Sequence, residues 1–152
     1  MRYFSFTLFS LCLVGGCGYQ ESEVSTCDVP AGECYLPGMS HSAAQMTVRL
    51  LEANPGPPER GDFNVWTLQV EETTGATIEN LTVMVDPTMP AHGHGTTPLP
   101  TVTPIEGTRD QFDVRPLNLF MPGLWQIRVH VGATIGGNEV NESVDFEFWI
   151  ES

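Results

Sequence analysis

The chain has 152 residues, 41% of them hydrophobic, and six basic side chains against nineteen acidic ones, for a formal net charge of −13. That apolar content excludes a disordered polyelectrolyte and supplies a core for about one domain. The charge excludes nucleic acid as a partner and electrostatic docking to anionic lipid, both of which need a basic surface.

Residues 1–16 read as an export signal. Arg2 supplies the positive start, and Phe4 to Val14 form an apolar run too short to span a bilayer. The run ends in Leu13-Val14-Gly15-Gly16-Cys17, which resembles the lipobox of bacterial lipoproteins. There, small residues precede a Cys that is acylated, palmitate included, and becomes the mature N-terminus. This resemblance implies a membrane partner reached through a lipid anchor on Cys17. With Gly18 in place of Asp it implies the periplasmic face of the outer membrane. An ordinary signal peptide that contains a Cys is the alternative.

Residues 17–45 read as the lipidated Cys and a flexible tether, rich in Ser, Glu, Gly and Pro and without a sustained apolar period. Cys27 and Cys34 remain once Cys12 is removed and Cys17 is acylated. In an exported chain two thiols are most simply a disulfide, with a thiolate metal site as the alternative. His41 is expected as a linker residue.

From Met46 the apolar period becomes two. Met46, Val48 and Leu50 alternate with Thr47 and Arg49. Asn54-Pro55-Gly56-Pro57-Pro58 breaks this first strand. Phe63 to Glu71 follows, with Trp66, Leu68 and Val70 on one face. A third strand over 81–85 points Leu81, Val83 and Val85 one way, then enters a loop beginning at Pro87. Gln111 to Arg115 is a short strand with Phe112 and Val114 inward. Met121-Pro122-Gly123 turns into the cleanest alternation, Trp125, Ile127, Val129 and Val131. Gly136-Gly137-Asn138 is a hairpin turn, and Val144, Phe146, Phe148 and Ile150 close the chain. Twelve Pro and fifteen Gly suit such turns. Residues 46–152 are therefore expected to form an all-β, antiparallel β-sandwich of six to seven strands.

The succession from 46 to 150 resembles the YtkA-like and FixH-like family of small exported domains. The resemblance rests on the Phe63-to-Val70 strand, the Met89-Pro90-x-His92-Gly93-His94-Gly95 segment and Met121-Pro122-Gly123-Leu124-Trp125. It implies an immunoglobulin-like sandwich, and for some members a link to metal handling. The chain departs from FixH proteins in lacking their transmembrane anchor.

Met89, His92 and His94 lie within six residues of one another. Thioethers and imidazoles are polarisable donors that suit Cu(I). If strands 81–85 and 124–131 are antiparallel neighbours, Met121 approaches Met89, and the expected metal site is Met89, His92, His94 and Met121. The competing reading packs both Met beneath the loop as adaptable core residues and leaves the two His facing solvent. No nucleophile elbow, phosphate loop or His-Glu-x-x-His is present, and all six basic residues are Arg, so no enzyme is expected. The expected function is a lipid-anchored binding domain of the cell envelope that handles Cu(I). The alternative is a metal-free structural or interaction module that binds an envelope protein through a sheet edge and the loop 87–107.

Overall fold

The computed structural model describes residues 27–152. The expected signal peptide, the lipidated Cys17 and the start of the tether lie outside the described residues. Among the described residues the chain forms nine strands: β1 Ser40–Ser42, β2 Met46–Asn54, β3 Gly61–Glu72, β4 Ile78–Met89, β5 His94–Gly95, β6 Thr101–Pro104, β7 Gln111–Leu119, β8 Gly123–Ile135 and β9 Asn138–Ile150.

They make two antiparallel sheets, β1-β2-β3-β7-β6 and β5-β4-β8-β9, packed as an immunoglobulin-like β-sandwich. The period-two residues become the core. Met46, Val48 and Leu50 from β2, Trp66 and Leu68 from β3, Trp125, Ile127 and Val129 from β8, and Phe146 and Ile150 from β9 are all fully buried. The six long strands are those read from alternation. The three short ones carry too few apolar residues to show a period.

Two segments differ from expectation for physical reasons. β4 does not stop before Pro87 but runs through it to Met89. In an antiparallel ladder a residue's N–H and C=O point to the same side. The Pro87 carbonyl accepts the Thr96 N–H at 3.2 Å, so the proline nitrogen also faces the β5 side. Its missing N–H takes no bond from β8, and the strand continues.

The second is the C-terminal part of the expected tether, which lies against the sandwich. Cys27 and Cys34 form a disulfide with Cα atoms 5.8 Å apart. Glu33 N–H donates to the Glu147 carbonyl at 2.8 Å, and the Glu147 N–H donates to the Glu33 carboxylate at 2.8 Å. This covers the outer edge of β9, which would otherwise offer unpaired backbone groups. His41, expected in a linker, sits in β1, where its Nε2 meets the Glu33 carboxylate at 2.8 Å and its ring stands edge-on to Phe146.

On the outer face of the second sheet, Arg128 holds Asp145 through two bonds, 2.7 Å from Nε and 2.9 Å from Nη2. These bonds keep the Asp145 carboxyl below its ordinary range. A depressed carboxyl stabilises the fold above its unfolded pKa, about 4, and loses that contribution as pH falls through the folded value. Arg128→Ala is therefore expected to cost less than about 1 kcal/mol at pH 7, since the pair is partly solvated. Near pH 2 the urea midpoints of variant and wild type should converge. A difference that is unchanged in acid would mean that the guanidinium stabilises by packing, not by charge.

Register places the elements that matter next at one end of the sandwich. Thr88 pairs with Gln126, Gly123 with Ile150 and Gly61 with Leu119. The β4–β5 hairpin, the β7–β8 turn, the β2–β3 connection and the C-terminus are thus gathered together.

Candidate metal centre

Residues 89–94 form a tight hairpin. The Met89 carbonyl accepts both the His92 and the Gly93 N–H at 3.0 Å, and Met89 and His94 are cross-strand partners. Gly93 has φ +67°, a conformation that costs little without a Cβ. The sequence Pro90-Ala91-His92-Gly93 is therefore a turn that lifts His92 to its tip, and β5 brings His94 back beside it. Both histidines are exposed. Their ring centroids are 5.7 Å apart with planes inclined by 43°.

Beneath the imidazoles is an aromatic stack. His94 lies parallel to Phe120, with centroids 5.7 Å apart and 19° between planes. Phe120 meets Trp125 edge-on at 5.6 Å. Trp125 is fully buried, and its indole N–H donates to the Met121 carbonyl at 2.9 Å. The β7–β8 turn is pinned by this bond, and it supports the hairpin through Phe120.

The four expected ligands are placed unequally. His92 and His94 are together and face solvent. β4 and β8 are antiparallel neighbours, as the expected approach of Met121 to Met89 required. Met121 follows Phe120 in the chain and packs partly buried against the core. Met89 departs from the expectation of an accessible ligand: it is 1% exposed and belongs to the core. Its Cε lies 3.0 Å from where a Cβ on Gly123 would stand, so the side chain fills the space under the β7–β8 turn. The burial has a simple origin, because Met89 continues the inward alternation of Val85 and Pro87 once the strand passes the proline. Among the described residues no three His, Cys, Asp or Glu side chains converge. His130 lies elsewhere, opposite Met84 on the outer sheet face.

Two residues of this end escaped the sequence reading. Phe120 breaks the alternation of β7 just after inward Leu119, and an exposed aromatic before Met-Pro-Gly was the available signal. Asn64 is fully buried on the inner face of β3. Its amide nitrogen donates to the carbonyls of Glu59 at 2.8 Å and Leu117 at 3.2 Å, and approaches that of Gly61 at 3.3 Å. Its Oδ1 accepts the Glu59 N–H at 2.9 Å. Its place in phase with inward Trp66, Leu68 and Val70 was the available signal, outweighed by its polar side chain.

The YtkA-like family profile matches residues 40–130, from β1 into β8 and across the hairpin. The chain belongs to the YtkA-like family. The sandwich of this YtkA-like protein extends past the matched region, because β9 completes the second sheet at Ile150. Among solved structures it is similar to the GAE domain of GGA2p from Saccharomyces cerevisiae. That likeness has a TM-score of 0.44 and 8% identity, and covers 72% of this chain and 96% of that one. No curated protein matches the chain.

Proposed function

We propose that this YtkA-like protein is an exported, lipid-anchored domain that carries Cu(I) on the His92–His94 hairpin and works by binding, not by catalysis. The observation that carries the reading is the pair of solvent-facing imidazoles at the hairpin tip, 5.7 Å apart between ring centroids. Cu(I) accepts few, polarisable donors, and imidazole is among them. The donor set fits such a cation better than it fits structural zinc, which takes a closed shell of four ligands. Met121, next to Phe120 in the chain, is the less buried of the two thioethers. Met89 holds the hairpin from below.

The anchor at Cys17 and a place at the periplasmic face of the outer membrane belong to the same reading. They are supported by the lipobox-like Val14-Gly15-Gly16-Cys17. Among the described residues no helix is long and apolar enough to cross a membrane.

A metal-free interaction module remains the second reading, supported by the exposed apolar side chains of Leu99 (48%) and Phe120 (44%). Cu(I) titration against a chromophoric chelator separates the two. Replacing His92 and His94 together by Ala should weaken Cu(I) binding at least about tenfold, a loss of about 1.4 kcal/mol. The thermal midpoint should hardly move, because neither ring is in the core. Met89→Leu should keep wild-type affinity. A double-histidine variant that competes for Cu(I) as well as wild type would overturn the metal reading. Retention of an envelope protein by the wild type but not by Phe120→Ser would then favour the module.

A further inference from the structure

The end of the sandwich that bears the histidine hairpin also carries an apolar cleft, lined chiefly by Val29, Tyr35, Pro57, Pro58, Phe148 and Trp149. Its larger part encloses about 430 Å³, within the range of small-ligand sites. One wall is the segment that covers β9. A Cβ on Gly32 would stand 2.6 Å from the Glu147 carbonyl oxygen, so only glycine permits this close approach. The other wall is the β2–β3 connection, and the end of β2 that leads into it is held to the first wall by the Ala53 N–H donating to the Tyr35 hydroxyl at 3.1 Å. The cleft is therefore built from fixed backbone. Trp149, half-buried on its floor, is the one tryptophan of three that is not fully buried.

Two further facts say what covers it. Cys27 lines the cleft, and only residues 18–26 separate it from Cys17. The ten Cα–Cα steps between the two cysteines span at most about 35 Å even when fully extended. A lipid on Cys17 keeps this end of the domain near the bilayer, whatever path the intervening residues take. The rim is formed by Glu59, Arg60 and Glu151, and the whole chain carries −13. Anionic headgroups are repelled, while Trp at an apolar–polar boundary is at home among neutral ones.

We infer that this end of the sandwich rests on a bilayer of neutral phospholipid, with the cleft and Trp149 taking up acyl chain. The histidine hairpin then faces the membrane. The inference rests on the proposed anchor at Cys17.

Full-length protein in phosphatidylcholine vesicles whose acyl chains carry bromine provides the test. Tryptophan emission should be quenched in the wild type, and the quenched share should vanish in Trp149→Phe, because Trp66 and Trp125 are shielded in the core. Val29→Glu, which places a charge in the cleft, should reduce quenching with Trp149 intact, and so should replacing a third of the lipid by phosphatidylglycerol. Mass spectrometry of the same sample reads the acylation of Cys17. Acylated protein without Trp149-dependent quenching overturns the inference and leaves the anchor standing. Protein without lipid on Cys17 overturns the anchor and the inference together.

Discussion

Replacing Trp125 by Ala should lower the unfolding free energy by about 3–5 kcal/mol, the usual loss for a large buried aromatic. Trp125 is fully buried on β8, where its strand pairs with both β4 and β9, so its own backbone is held on both sides and cannot move in to fill the space it leaves. The indole also donates its N–H to the Met121 carbonyl, which satisfies the ring's polar edge. Trp66 differs in this respect: its Nε1 is buried and has no partner among the described residues. The effect of Trp125→Ala should extend to the hairpin, because Phe120 leans on Trp125 and His94 leans on Phe120. Urea unfolding gives the first quantity, and Cu(I) titration of the still-folded variant gives the second. A midpoint within error of wild type would show that the sheets repack around the cavity.

The second large effect is expected at Asn64. Leucine is close to asparagine in volume, yet Asn64→Leu leaves the buried Leu117 carbonyl and the Glu59 backbone without their partners. The cost of a buried unsatisfied group is about 1–3 kcal/mol, and part of it is recovered at Glu59, which water can reach. A loss of about 2–3 kcal/mol follows. The register of β3 against β7 shifts on both sides of Asn64, so its amide bridges a gap in the ladder. The same side chain positions Glu59 and Gly61, and through them the outer wall of the cleft. A drop below about 0.5 kcal/mol in the urea-derived free energy would mean that water replaces the amide there.

The strands were legible because alternation needs only a few residues to show a face: six runs of five to nine residues each carried an inward side, and the six strands of nine or more residues extend those runs around the core. The hairpin histidines were legible from residue type alone. What was hidden depends on neighbours that are remote in the chain. Met89 looked like a free ligand because Pro87 looked like the end of a strand. Only the side to which its nitrogen points decides otherwise. Asn64 looks polar and is buried, because the ladder around it is irregular. The platform under His94 comes from Phe120, twenty-six residues on, and the cleft combines residues from both ends of the chain.

The bond between Glu33 and Glu147 spans 114 residues, and this bears on when the domain can form. A chain made from its N-terminus holds the disulfide loop long before it holds the edge that the loop covers. β9 supplies one outer strand of the second sheet and most of its aromatic packing, so a chain ending at Ile135 leaves β8 with an uncovered edge. Closure must await the last thirteen-residue strand, and pairing of such separated segments is slow. Until that strand is made, the first sheet is complete but the second has an uncovered edge and lacks the aromatic side chains of β9.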